Sequence, residues 1–283
     1  MAQFHSKGKY NFTVLKSEGH KEPFSPQKLH NSLRRSGLPT ETCHAITQKV
    51  GENVVPGMST KDIYKHAFKL VSRESSMAAV HYSLKRAILD LGPTGFEFEV
   101  FVARYFEALG FETKVGVTIP GEFVKHEVDV VAKAGDSFTF VECKFHNYIG
   151  RKNDIKIVLY VKARWDDLKN GPEGKSLHDF YLATNTSFSS DALAYAKGTG
   201  LKLLGLNAPA DENFIHKIIH HRLYPITSLK RLKKHIRNEL LSRGIILCKE
   251  LLQKKRLLME LGLIEEDIEQ LFSDIRSLIE GEK

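Results

Sequence analysis

Cysteine is scarce in this chain of 283 residues: Cys43, Cys143 and Cys248 lie far apart. That excludes a disulfide framework and a paired-thiolate zinc site, and it fits a reducing compartment in which the three are small buried residues. No apolar run approaches the roughly 20 residues needed to span a bilayer, so no membrane partner is expected. The stretch Met1 to Phe12 is polar and lacks the apolar core and small-residue cleavage site of a secretory signal, which makes the cytoplasm the expected location. The chain also shows no low-complexity tract and no clear internal repeat. Acid is outnumbered, with 34 Asp and Glu against 42 Lys and Arg and a formal net charge of +8. A basic balance favours polyanions such as nucleic acid, although charge alone does not separate a binder from an ordinary basic protein.

What the chain does contain is enough apolar residue, 42%, to bury a core without staples. Its pattern predicts an α/β (α+β) protein in three segments, residues 1–92, 93–223 and 224–283. The first opens with Phe12 to Lys16 and Lys21 to Phe24, a short hairpin around Ser17-Glu18-Gly19-His20. Helices follow over Gln27–Ser36 (N-cap Ser25, Pro26 at the first helical position), Glu41–Val54, Lys61–Arg73 and Ala78–Leu91. Gly92-Pro93-Thr94-Gly95 then punctuates the chain. The middle segment reads as a helix Phe96–Leu109, strands Glu127–Ala132 and Phe138–Phe145, a helix Asp154–Leu168, a strand Asp179–Ala183, a helix Ser190–Lys197 and a strand Leu201–Gly205. The order αββαβαβ predicts an α/β sandwich.

The chemistry-bearing residues lie in the two-strand hairpin. Strand alternation turns Asp129 to one face of the first strand and sends Glu142 and Lys144 together to one face of the second. Two converging carboxylates repel unless a cation lies between them, and a small hard cation such as Mg²⁺ accepts carboxylate oxygens together with substrate phosphate. Lys144 beside them can orient a nucleophile or stabilise an anionic transition state. A plainer reading makes Glu142 and Lys144 the wet face of an antiparallel sheet. The preceding helix with Glu97 and Glu99, and the following basic stretch Arg151, Lys152, Lys156, Lys162, Arg164, favour phosphoryl-transfer chemistry over it.

Three stretches carry a family resemblance: Gly95-Phe96-Glu97-Phe98-Glu99-Val100, His126-Glu127-Val128-Asp129-Val130-Val131 and Val141-Glu142-Cys143-Lys144. With Phe180 to Asn185 and the elements through Gly205, they resemble the Mrr-like restriction endonucleases of the PD-(D/E)xK nuclease superfamily. The resemblance implies a Mg²⁺- or Mn²⁺-dependent endodeoxyribonuclease, with Glu99, Asp129 and Glu142 as metal ligands and Lys144 as a further catalytic residue. DNA is then the partner and host defence a role. Many Mrr-like members carry Gln at the position of Glu142.

Val14 to Gly19, Glu22 to Leu29, Met58 to Tyr64 and Ala79 to Tyr82 resemble the ATP-cone, a nucleotide-binding regulatory module. The resemblance implies a β-hairpin plus four helices binding ATP or dATP through Val14, Lys16, Glu22, Phe24, Lys28, Thr60 and Lys61. Lys16 and Lys28 would close on phosphates, Glu22 would read the adenine amino group and Thr60 would donate to phosphate. Ser17 and His81 depart from the basic residues common in that family. Adenine nucleotide would then regulate activity or assembly of a homo-oligomer, dimer or tetramer.

The last segment reads as helices over Ser228–Leu241, Ile245–Leu252, Lys254–Leu261 and Glu265–Leu278, with Gly244 and Gly262 as stops. Lys230, Arg231, Lys233, Lys234 and Arg237 form a basic cluster suited to a nucleic-acid backbone or to plain solvation. The competing reading for the whole chain is a nucleotide-sensing, nucleic-acid-binding protein on a degenerate nuclease fold that does not cut.

Overall fold

The structure is a computed structural model and describes residues 12–16, 19–148, 150–206, 208–209 and 213–280. Ser17 and Glu18 of the expected hairpin turn, and the N-terminal stretch before Phe12, lie outside the described residues. The chain divides into two compact units, one ending at Leu84 and the other beginning at Lys85.

In the first unit β1 (Thr13–Leu15) pairs antiparallel with β2 (Lys21–Pro23), Val14 opposite Glu22. Helices α1 (Pro26–Arg34), α2 (Thr40–Asn53) and α3 (Thr60–Glu74) follow, then α4 (Ser76–Leu89), whose last turn belongs to the second unit. Ser25 caps α1 by accepting from Lys28 N at 3.2 Å, with Pro26 where no amide partner is needed. Ser59 caps α3 through Asp62 N at 3.1 Å. Leu29, Leu33, Cys43, Ile46, Val50, Ile63, Ala67 and Val71 close the core of this unit.

In the second unit α5 (Phe96–Ala108) precedes a five-stranded sheet of order β3-β4-β5-β7-β9. Its strands are β3 (Glu112–Pro120), β4 (Lys125–Ala134), β5 (Ser137–Lys144), β7 (Leu177–Thr184) and β9 (Lys202–Gly205). β3, β4 and β5 run antiparallel, and β5, β7 and β9 run parallel through crossovers. The crossovers carry α6 (Ile155–Asn170) and α7 (Ser190–Thr199). A two-residue parallel pair, β6 (Lys152–Asn153) with β8 (Ser187–Phe188), ties the loops after β5 and β7 together. The strand β3 is missing from the sequence reading. It is an edge strand exposed on every second residue, and Gly116 and Pro120 disguise it as a loop.

Both sheet faces are covered. Phe140, Phe180, Leu182 and Val131 pack under Val158, Val161 and Leu168 of α6. Phe98, Phe101 and Phe106 of α5 are fully buried, each side chain contributing roughly 2–3 kcal/mol. The ring of Phe106 lies 5.3 Å from Tyr181 in edge contact. Covering both faces explains why β4 reads Val128, Val130, Val131, Ala132 as a nearly continuous buried run.

After β9 come α8 (Phe214–His220), α9 (Lys234–Ser242), α10 (Cys248–Leu251), α11 (Lys255–Glu260) and α12 (Glu265–Glu280), all in the second unit. Arg104 Nε of α5 meets Glu250 Oε1 of α10 at 2.8 Å, and Thr227 Oγ1 donates to Ala87 O at 2.6 Å. Helix α9 starts at Lys234, later than the expected Ser228. Ile226 N donates to Ile246 O and Cys248 N to Tyr224 O, so the chain before α9 spends its backbone on a neighbouring segment. Arg231 of the basic cluster pairs with Asp274 at 2.7 Å. The three cysteines are free, Cys43 and Cys248 buried and Cys143 partly exposed. Among the described residues no helix is long and apolar enough to cross a membrane.

Candidate active site

The antiparallel ladder between β4 and β5 runs from Ala134↔Ser137 to Val130↔Val141 and stops there. One residue further, the Asp129 carboxylate replaces the ladder: Cys143 N donates to Asp129 Oδ2 at 2.6 Å. The register carries Asp129 and Glu142 to the same face, and Glu142 shares that face with Phe140 and, across β7, Phe180 and Leu182. That is the face under α6, so Glu142 is buried at 7% exposure and is no part of a wet sheet surface.

Lys144 ends β5 opposite Thr184, whose hydroxyl donates to the Lys144 carbonyl at 2.7 Å. Two residues on, Asn185 grips His146 at both ends: His146 N donates to Asn185 Oδ1 and Asn185 Nδ2 to His146 O, each at 2.8 Å. Asn153 is buried, donates to Thr184 Oγ1 at 3.0 Å and meets His146 Nε2 at 2.9 Å. Lys144 therefore stands on a backbone fixed from both sides, as a positioned cation requires.

Glu99 arrives from α5. Gly95, at φ +95°, starts that helix, and a Cβ there would lie 3.3 Å from Phe145 Cβ. Glycine thus permits the close approach of the helix start to the end of β5. The ring of Phe98 lies 5.7 Å from that of Phe145.

The electrostatics are those of crowded carboxylates. Burial, then the charges of Asp129, Glu127 and Glu142, push Glu99 up to about 7. Burial, then Asp129, push Glu142 up to about 7, against the opposing pull of Arg164 and Lys144. Burial also raises Asp129, against the hydrogen bond from Cys143 N and the charges of Arg164 and Lys144. Glu99 thus feels the charges of Asp129, Glu127, Glu142 and Glu97, while two cations, Lys144 and Arg164, act on Asp129 and Glu142.

Arg164 is the residue that sequence reasoning placed only in a general basic stretch. Its Nη1 donates to Glu142 Oε2 and its Nη2 to the Glu127 carbonyl. Its side chain is 12% exposed. The signal was available: Val161, Arg164 and Leu168 fall on one face of α6, so an arginine interrupts the core stripe. Among the described residues no group of three or more His, Cys, Asp or Glu is gathered as a ready metal site.

In the first unit the structure brings Lys16 and Lys28 to one point. Lys16 Nζ lies 2.8 Å and Lys28 Nζ 3.4 Å from the carboxylate of Glu22. Thr60 and Lys61 open α3, and the hairpin docks beside them, with Leu15 N donating to Met58 O at 3.0 Å. Val14 and Phe24 are core residues of this unit.

Residues 92–208 match the family described as restriction endonuclease, and residues 224–279 the family described as AF1548-like, C-terminal. An uncharacterized protein of Archaeoglobus fulgidus is 34% identical over 182 residues, which are 63% of this chain and 99% of that protein. The crystal structure of the protein of unknown function AF1548 superposes with a TM-score of 0.53 at 32% identity, over 66% of this chain and 99% of that one. The MspJI restriction endonuclease in complex with a 27-mer oligonucleotide gives a TM-score of 0.36 at 13% identity, over 60% of this chain and 36% of that one. The chain belongs to the AF1548-like family, carrying a restriction endonuclease domain followed by an AF1548-like C-terminal domain.

Proposed function

We propose that the protein is a divalent-metal-dependent endonuclease hydrolysing DNA phosphodiester bonds, with ATP or dATP bound to the first unit as its regulator. One observation supports the nuclease half most: where β4 and β5 separate, strand register puts Asp129, Glu142 and Lys144 on one face, with Glu142 buried, Asp129 held by Cys143 N and the Lys144 carbonyl held by Thr184. The donor set is chemically suited to Mg²⁺ or Mn²⁺, since Glu99, Asp129 and Glu142 offer hard oxygen atoms and their mutual repulsion is what a cation relieves. Such an ion would supply Lewis-acid stabilisation of charge developing on the scissile phosphate. Asp129 holds its orientation through Cys143 N, and Glu142 stays aligned by strand register. Lys144 presents an ammonium to the attacking water or to the non-bridging phosphate oxygens.

Regulation is supported by the convergence of Lys16 and Lys28 on Glu22 and by the neighbouring start of α3. In this reading triphosphate takes over the two ammonium groups from Glu22, which then faces the base. A nucleotide effect on cleavage requires unequal affinity for two states, for which a change of oligomer is the proposed pair.

The non-cutting alternative draws on the pairing of Glu142 with Arg164. The two readings separate in one assay. Supercoiled plasmid is incubated with the protein and Mg²⁺, with EDTA, with ATP or dATP, and beside a Lys144→Ala protein. The endonuclease reading expects Mg²⁺-dependent nicking that falls by about 10²-fold in the variant. No cleavage under any nucleotide, with DNA still bound, would leave the binding protein as the better reading.

A further inference from the structure

Arg164 reaches the site from α6, while the carboxylates stand on β4 and β5. It donates to both Glu142 and the Glu127 carbonyl, and its guanidinium carbon lies 5.6 Å from the ring centroid of Tyr160. An arginine this buried is held by partners that replace its hydration. Of the crowded side-chain carboxylates it bonds Glu142, while Asp129 is committed to Cys143 N, and the carboxylates still outnumber the two cations Lys144 and Arg164.

We propose that Arg164 is an internal counter-ion that holds Glu142 in the metal-free protein and gives it up when a divalent cation binds, so that metal entry is an exchange. The inference rests on the reading of Asp129 and Glu142 as metal ligands. A carboxylate oxygen committed to a guanidinium is withdrawn from metal, and the fixed positive charge opposes a second cation nearby. Arg164 thus acts through Glu142 as a positioning residue and sets the metal concentration at which the site fills. The same pair fastens α6 to β5 before metal arrives.

The test is a Mn²⁺ titration of the full chain without DNA at pH 8, reading free Mn²⁺ by electron paramagnetic resonance. The proteins are wild type, Arg164→Gln, Arg164→Lys and Asp129→Asn, with circular dichroism and Trp165 fluorescence to confirm folding. Arg164→Gln is expected to bind Mn²⁺ about tenfold more tightly and to gain more thermal stability from it than wild type. Arg164→Lys keeps a cation that cannot span Glu142 and the Glu127 carbonyl together, and is expected to shift the same way by a smaller factor. It carries the test should the glutamine protein not fold. Asp129→Asn is expected to lose the binding. Unchanged or weaker Mn²⁺ affinity in the folded Arg164 variants, with Asp129-dependent binding intact, overturns the exchange and leaves the metal site standing. Absence of Asp129-dependent binding in wild type and Arg164 variants alike overturns the metal-site reading and the exchange with it.

Discussion

Replacing Glu99 by glutamine should make the metal-free protein more stable, by an amount that grows as the pH rises from 4.5 to about 7 and is constant above it. Glu99 is raised from 4.5 to about 7 by burial and by Asp129, Glu127 and Glu142. Below 4.5 the carboxyl is protonated in folded and unfolded chains alike, and its ionisation costs nothing. As the pH climbs towards 7 the unfolded chain releases the proton first, so the folded state loses stability through that window and stays at the lower level above it. The full shift corresponds to about 3.4 kcal/mol, and partial solvent screening of a side chain at the helix start reduces it to roughly 1–2 kcal/mol. Glutamine keeps the shape and removes the charge. Trp165, the one tryptophan of the chain, packs on Phe180 with ring centroids 6.2 Å apart and reports unfolding of the second unit. Urea unfolding followed by its fluorescence should therefore show a stability gain in Glu99→Gln at pH 8 and none at pH 4.5. An equal gain at both values, or a loss at pH 8, would refute the placement of Glu99 among the other carboxylates.

Other consequences follow from particular contacts. Gly174 lies where a Cβ would stand 1.8 Å from the Lys169 carbonyl oxygen, so Gly174→Ala should cost about 2 kcal/mol or more in the same urea assay. Lys16→Ala and Lys28→Ala should each weaken binding of a fluorescent ATP analogue by about tenfold, measured by anisotropy, while leaving the melting of the second unit unchanged. A pair of variants with unaltered nucleotide affinity would remove the first unit from the regulatory account.

The sequence made the hairpin chemistry legible because alternation along two strands is a short-range rule: it placed Glu142 and Lys144 on one face, as the register of β5 with β7 bears out. The helix starts at Ser25 and Ser59 were legible for the same reason, since a cap is decided within four residues. What escaped is long-range. β3 hides because an edge strand needs only one half-buried face, and Gly116 and Pro120 look like punctuation. Arg164 could be seen to break an apolar stripe, but only the packing of α6 over β5 reveals that its partner is a carboxylate 22 residues earlier. The grip of Asn185 on His146 spans 39 residues and belongs to the same class. Residues 228–233 misled the helix pattern because their leucines are buried by an irregular segment, where Leu229 and Leu232 fill the core without a helix.

If Asp129 organises a metal-dependent cleavage centre, Asp129→Asn is the variant that exposes it. The asparagine oxygen can still accept from Cys143 N, so the hairpin keeps its cross-link while the carboxylate charge is gone. Wild type and Asp129→Asn, prepared side by side and matched by circular dichroism, are given the same supercoiled plasmid over a Mg²⁺ series. Cleavage by wild type is expected to rise with Mg²⁺ and to fall by at least about 10²-fold in the variant. Cleavage of equal rate by both folded proteins, or wild-type cleavage that persists in EDTA, would contradict it.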